Sequence, residues 1–104
     1  MLVLPIKKKW FQMILIGEKK EEYREIKPYY QKRFKTIGLL DKDGKETKNK
    51  IEILFRNGYG TTCPSFIALC SIKIKTGNTK WGAEDSVLYY ALQIHEVLEK
   101  QNIS

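Results

Sequence analysis

The side chains best suited to chemistry stand close together in the segment Gly17-Glu18-Lys19-Lys20-Glu21-Glu22-Tyr23-Arg24. Directly after an apolar stretch, this segment brings together three basic and three acidic residues. If such charges are partly buried, they must pair or shift their pKa values, and clusters of this kind are enriched at functional sites. If they are solvated, they are surface ion pairs that contribute little to stability. The segment is therefore either a functional cluster or a set of cross-strand ion pairs.

The candidate site residues in and near this segment differ in what they can do. Arg24 carries a planar guanidinium that fits phosphate or carboxylate, and Lys7 and Lys19 would add point charges for phosphates. Glu22 can accept a hydrogen bond from a base amino group such as cytosine N4, or activate a water. Lys19 can act as a base or nucleophile only where burial or a second cation lowers its pKa. An ideal strand would place Lys19 and Glu22 on opposite faces, so their convergence requires a bulge or a turn at Lys19.

A second set of candidate ligand-binding residues consists of Tyr23 and three residues of a glycine-rich turn, Arg56, Asn57 and Tyr59. A tyrosine beside basic residues can stack on a nucleic-acid base. Loops are where binding residues concentrate. The alternatives are half-buried tyrosines that only pack, and glycines that only make a turn. Trp10 lies on the apolar stripe of a predicted helix and is expected in the core.

Composition bounds the function further. The chain of 104 residues suits a single domain, 1–104, and its net charge of +7 arises almost entirely in residues 1–35, which carry +6. Such a basic region attracts RNA, DNA or phosphorylated small molecules, or is a solvated face.

Two cysteines without a CxxC motif and a single histidine indicate no metal site, and we expect no cofactor. No apolar run is long enough to span a bilayer, so we expect a cytoplasmic protein that does not bind membranes.

The pattern of the chain predicts an α+β domain with a strongly curved sheet or partly open barrel. Residues 19–26 are ambiguous, because helix propensity would continue the preceding helix whereas Gly17 and the alternation that follows favour a strand. The expected elements are an edge strand 2–6, a helix 8–16, a helix 29–35 opened by Pro28, a polar loop 41–50, and strands 51–55, 66–75 and 87–98.

The spacing Gly17-x-Lys19-x-x-Glu22-x-Arg24 resembles the G-x-K-x-x-E-x-R signature of ASCH domains, members of the PUA-like superfamily. The setting is also similar, since a short strand ends in a lysine, Lys7, and is followed by a helix that ends where the signature begins. Two later stretches, Phe55–Gly60 and Lys80–Ile94, resemble a small bacterial and phage-type branch of that family. The resemblance implies a PUA-like β-barrel with a helix packed across it, and a strand at 19–26. It also implies a cleft beside the helix that binds RNA or a modified nucleoside.

Three functions follow as hypotheses. The first is binding of RNA, a nucleotide or a modified nucleoside in a cleft containing the signature residues. The second is hydrolysis of an N4-acylated cytidine or of RNA, with Lys19 and Glu22 as catalytic residues. Relatives that hydrolyse N4-acetylcytidine use a lysine, a threonine and a distant glutamate; here Glu22 stands at the threonine position, and the distant acid is open among Glu52, Glu84 and Glu96. The third is a non-catalytic interaction module.

Overall fold

The computed structural model describes residues 1–103 and shows an α+β fold with five strands and two helices. In chain order the elements are β1 (Val3–Pro5), α1 (Lys8–Leu15), β2 (Glu21–Glu25), α2 (Pro28–Thr36), β3 (Ile51–Arg56), β4 (Ser65–Thr76), the 3-10 turn Thr79–Trp81, and β5 (Leu88–Gln101). The α+β class predicted from the sequence is confirmed. Within the described residues, neither helix is long and apolar enough to cross a membrane.

All five strands form one mixed sheet in the order β1-β3-β4-β5-β2, in which β1 runs parallel to β3 and the other pairs are antiparallel. The short strands β1 and β2 are therefore the two edges. The sheet curls far enough for a side chain on one edge to reach the other, since Arg24 Nη2 on β2 lies 2.8 Å from the carbonyl oxygen of Pro5 on β1. Register shifts between β4 and β5 at Ile67/Ala68 and Leu69/Cys70 are bulges of the kind that increase bending. We call the gap between the β1 and β2 edges the seam.

The hydrophobic core lies on the inner face of this curled sheet. Phe66 of β4 packs against Phe11 of α1 and Phe55 of β3, with ring centroids 5.0 and 5.2 Å apart. Alternate residues of β4 face the core, since Phe66, Ala68, Cys70 and Ile72 are all buried. Ile74 continues this alternation, since it stands opposite the buried Tyr90, but it is 37% exposed because it lies near the end of β4 where the strand leaves the core.

The ambiguous segment after α1 forms a strand, but a shorter one than 19–26. Gly17 adopts a left-handed φ of 82°, which ends α1, and the backbone amides of Glu18 and Lys19 then donate to the carbonyl oxygen of Met13 at 2.9 and 3.0 Å. Because the amide of Lys19 caps the helix, it is not free for a sheet ladder. The strand begins only at Glu21. Lys19 therefore lies in the turn that the convergence of Lys19 and Glu22 requires.

Candidate functional site

A cleft of about 430 Å³ opens in the seam, within the range of about 300–1,000 Å³ typical of small-molecule sites. Its walls come from the end of β1, the first turn of α1, strand β2, the start of α2 and the segment 82–84. Four of the lining residues are aromatic: Trp10, Tyr23, Tyr30 and Tyr89. Trp10, predicted to belong to the core, is only partly buried and exposes one side to the cleft, because Phe11 and Ile14 carry the buried face of α1.

The charges that line the cleft balance one another. Three lining residues are cationic, Lys7, Arg24 and Lys27, and three are acidic, Glu22, Glu25 and Glu84. A groove that tracks a polyanion would carry mainly one sign of charge. The cleft therefore suits a ligand that presents hydrogen-bond donors as well as negative charge. Of the three glutamates that the sequence left open as a distant acid, Glu84 lines the cleft, whereas Glu52 and Glu96 lie on β3 and β5 outside its lining.

Glu22 is the carboxylate at the centre of the site. Its side chain is 9% exposed, and each of its oxygens faces a different cation: Oε1 lies 3.3 Å from Lys19 Nζ, and Oε2 lies 2.9 Å from Arg24 Nη2. A buried carboxylate is costly unless it is paired and hydrogen-bonded. The two cations satisfy that condition, so Glu22 is held as a charged acceptor inside the cleft.

The strand register explains why Glu22 and Arg24 point inward. In the antiparallel pair of β2 and β5, Glu22 stands opposite Leu92 and Arg24 stands opposite Tyr90, and both of these partners are buried core residues. Directly opposed residues share a face of the sheet. Two charged residues of the edge strand therefore project to the side on which the core lies, while Glu21 and Tyr23 belong to the other face.

Arg24 ties the site to both edges of the sheet. Besides Glu22, its Nη2 donates to the carbonyl oxygen of Pro5 at 2.8 Å, and its Nη1 lies 3.4 Å from the hydroxyl of Tyr30. The side chain is 10% exposed. Its Nε is buried and has no hydrogen-bond partner among the described residues. An unsatisfied buried donor costs roughly 1–3 kcal/mol, so this arginine is not arranged for stability alone.

Lys19 lies behind the cleft wall, not on its surface. Its side chain is fully buried, its amino group donates to the carbonyl oxygen of Trp81, and Nζ stands 4.9 Å from the ring of Trp10 and 4.8 Å from the ring of Tyr23. Cation–π contacts of this kind stabilise an ammonium group that has lost its water. Lys19 and Glu22 are brought together as the sequence required, but a ligand in the cleft meets Glu22 before it meets Lys19.

Burial lowers the pKa of the Lys19 ammonium from its ordinary value of 10.5. The carboxylate of Glu22 opposes this shift, and the nearby guanidinium of Arg24 adds to it. Desolvation and a second nearby cation make a lysine a better base or nucleophile. Lys19 has both.

Tyr23 joins the cleft to the opposite face of the sheet. Its ring lines the cleft, while its hydroxyl donates to Glu21 Oε1 at 2.7 Å and accepts from the amide of Asn78 at 2.9 Å. Burial raises the pKa of Tyr23 well above its ordinary value, as does the adjacent Glu21 carboxylate. Burial alone would raise the pKa of Glu21, but hydrogen bonds from Tyr23, Lys75 and Gln93 together hold it below its ordinary value. Tyr23 is thus a fixed, neutral wall residue.

The turn Thr79–Trp81 closes the site from a distant part of the chain. Trp81 supplies the carbonyl oxygen that Lys19 binds, and Gly82 follows with a left-handed φ of 101°. A Cβ at Gly82 would lie 3.0 Å from the Trp10 ring, so a glycine is needed for the turn to approach this closely. Four residues of the site were not predicted individually: Trp81, Gly82, Lys27 and Tyr89. Three of them lie within Lys80–Ile94, one of the two later stretches that the sequence analysis singled out.

The predicted ligand-binding residues divide into two groups in space. Lys7, Glu22, Tyr23 and Arg24 line the cleft, and Lys19 lies directly behind it. Arg56, Asn57 and Tyr59, the glycine-rich-turn residues of the second set of candidate ligand-binding residues, do not line this cleft. The reason is the sheet order: Arg56 ends β3, which pairs with β1 on the side away from β2, so the loop that follows is displaced from the seam.

Comparison of the chain with protein-family models, with curated proteins and with solved structures gave no match. Within residues 1–103, no group of three or more His, Cys, Asp or Glu side chains is arranged to hold a metal ion. The function is therefore inferred from the cleft, its charges and its aromatic walls.

The ion cluster makes a direct prediction for the titration of Lys19. In NMR titrations of proteins with isotope-labelled lysine side chains, Lys19 should titrate below 10.5. Glu22→Gln should lower the pKa of Lys19 further, because it removes the charge that favours the ammonium, whereas Arg24→Met should raise it. Since the folded pKa lies below the unfolded one, unfolding takes up a proton in the window between them, and this group's contribution to stability rises with pH up to about 10.5.

The matched control for this titration is Glu25→Gln, because Glu25 is an exposed carboxylate of the same strand that pairs with Lys27. It should leave the titration of Lys19 unchanged. A Lys19 that titrates at or above 10.5 in the wild-type protein would contradict the described burial.

Proposed function

We propose that this chain is an ASCH-type, PUA-like domain that binds RNA or a nucleotide by taking one base into the cleft at the seam. The observation that supports this most is the buried Glu22 carboxylate, held between Lys19 and Arg24 inside an aromatic-walled cavity. The curled, open sheet with a helix at its seam is the arrangement expected of an open PUA-like barrel. The signature residues Glu22 and Arg24 lie in its cleft with Lys19 behind them.

Glu22 suits recognition of a base edge. An ionised carboxylate offers about four acceptor positions on its two oxygens, and the two cations do not use all of them. A remaining position can accept a hydrogen bond from an exocyclic amino group, such as cytosine N4 or adenine N6. Uracil presents carbonyl oxygens where those bases present amino groups, so the carboxylate discriminates against it.

The aromatic walls and the rim cations supply the other contacts a nucleotide needs. Trp10, Tyr23 and Tyr30 present ring surfaces on which a base can stack. Lys7 and Lys27 add positive charge for the phosphate. Both lysines lie within the basic region at residues 1–35, which attracts phosphorylated ligands.

If Glu22 reads the base edge, the wild-type protein should prefer some nucleotides over others, and the Glu22→Gln variant should lose that preference. Titration calorimetry with ribonucleoside 5′-monophosphates should show CMP or AMP binding about tenfold or more tightly than UMP, since a base-specific hydrogen bond is worth about 1–3 kcal/mol. Glu22→Gln should remove most of that preference, because the amide offers a donor as well as an acceptor. The matched control is Glu99→Gln, an exposed glutamate of β5 outside the cleft.

Thermal unfolding of each variant shows whether that variant is folded. The base preference is measured on the wild-type protein, so that part of the test holds even if a variant does not fold. Wild-type protein that binds none of the monophosphates, or a folded Glu22→Gln protein with unchanged affinity and preference, would refute the proposal.

A second candidate, hydrolysis of an N4-acylated cytidine, is favoured by one observation: burial lowers the pKa of Lys19 next to Glu22. In that reaction water adds to the acyl carbon, the bond to N4 breaks, and cytidine and a carboxylic acid leave. In the present arrangement Trp10, Tyr23 and the Trp81 carbonyl enclose the lysine, so direct chemistry requires the turn Thr79–Trp81 to move. Binding without chemistry therefore accounts for the closed arrangement better.

Release of acetate from N4-acetylcytidine distinguishes the two functions. If the chain is a hydrolase, Lys19→Met should reduce turnover about 10²–10⁴-fold, the size of a general acid–base contribution. Lys20→Ala, at the neighbouring exposed lysine, should not change it. Absence of turnover in the wild-type protein, or equal turnover in a folded Lys19→Met variant, would eliminate the enzyme. A chain that neither binds nor turns over nucleotides would be an interaction module.

A further inference from the structure

A second depression of about 270 Å³ adjoins the cleft on the side of β1. Its lining consists of Pro5, Ile6, Lys7, Gly58 and Tyr59, and the first three of these also line the cleft. The end of β1 is therefore a wall shared by two neighbouring depressions. A chain-like ligand that occupies one of them can continue into the other across Lys7.

The two depressions differ in their chemistry. The cleft balances cations with carboxylates, whereas Lys7 is the single charged residue among those lining the second depression within residues 1–103. Tyr59 forms the far side of the depression and is 90% exposed. A cation beside an open aromatic ring is the pairing that single-stranded nucleic acids use, with the phosphate at the charge and the base on the ring.

The Tyr59 loop is held in place relative to the shared wall. The amide of Ile6 donates to the carbonyl oxygen of Arg56 at 2.9 Å, and Asn57 Nδ2 donates to the carbonyl oxygen of Ile6 at 3.1 Å. Gly58 adopts a left-handed φ of 123°, and a Cβ there would lie 2.6 Å from Cys63 Sγ. These contacts hold the backbone at Ile6, Arg56 and Asn57, so the loop that carries Tyr59 leaves β3 at a fixed point beside the shared wall.

We propose that the ligand is a nucleotide within single-stranded RNA, and that the second depression receives the adjacent nucleotide, with its phosphate at Lys7 and its base stacked on Tyr59. This rests on the proposed function of the cleft. A base within a duplex is not free to enter a cavity, whereas single-stranded segments expose bases that can stack on aromatic side chains. Asn57 is then a positioning residue, and Tyr59 is the contact residue.

The test compares a ribonucleoside 5′-monophosphate with the six-nucleotide RNA homopolymer of the same base. The wild-type protein should bind the hexamer more tightly than the monophosphate. Tyr59→Ala should weaken hexamer binding about tenfold, the size of one lost stacking contact, and leave monophosphate binding unchanged. Tyr59→Phe keeps the ring and should retain hexamer affinity. Tyr29→Ala removes another exposed tyrosine, 54% exposed on α2 and outside both depressions, and should change neither affinity.

The outcomes separate this inference from the function on which it rests. Equal affinity for the hexamer and the monophosphate, or a Tyr59→Ala protein that binds the hexamer like wild type, would overturn the second subsite and leave the base-binding cleft standing. A Tyr59→Ala loss that is equal for both ligands would also overturn it, because Tyr59 would then act on the cleft itself. Wild-type protein that binds neither ligand would overturn both proposals.

Discussion

The pairing of Glu22 with two buried cations is the interaction on which the site depends. Glu22 contacts Lys19 through one oxygen and Arg24 through the other, and all three side chains are at least about nine-tenths buried. Each ion would be costly to bury alone, and removal of Glu22 would leave two uncompensated cations near the core. The cluster is therefore a unit, and the shape of the cleft follows from where its members are anchored: the end of α1 for Lys19, and the inner face of β2 for the other two.

The ion cluster lies at the gap between the β1 and β2 edges, which the open sheet leaves unpaired. A fully closed barrel would pair β1 with β2 through backbone hydrogen bonds and leave no room for a ligand. Here the two edges are joined by the Arg24 side chain and the carbonyl oxygen of Pro5 instead. A side-chain bridge leaves space beside it, and that space is the cleft. Four aromatic residues border that space: Trp10, Tyr23, Tyr30 and Tyr89.

Local sequence predicted α1 and its end, but it left β2 ambiguous between helix and strand, and only the family resemblance implied the strand. Gly17 marks the end of α1, and the alternation from Glu21 to Glu25 separates the inward Glu22 and Arg24 from the outward Glu21 and Tyr23. A regular strand would place Lys19 and Glu22 on opposite faces, so their convergence required a turn at Lys19. The cap at the end of α1 provides that turn.

Contacts between distant parts of the chain could not be predicted in the same way. Lys19 and Trp81 are 62 residues apart, and their contact depends on the register between β4 and β5 and on the curl of the sheet. The composition of the loop containing Tyr59 indicated a binding surface, but only the strand order places it next to β1 and outside the seam. Trp10 illustrates the same limit, since its place on the apolar stripe did not reveal that one side of the ring remains open.

The most direct measurement is a nitrogen–proton correlation spectrum of the wild-type protein recorded while CMP or AMP is added. It follows the side-chain signals of Arg24 Nε–H, which has no hydrogen-bond partner among residues 1–103, and of the Trp10 indole N–H. The account predicts that both signals shift in a saturable manner, together with the backbone amides of β2. Signals at Arg24 and Trp10 that stay fixed at saturating nucleotide would contradict it.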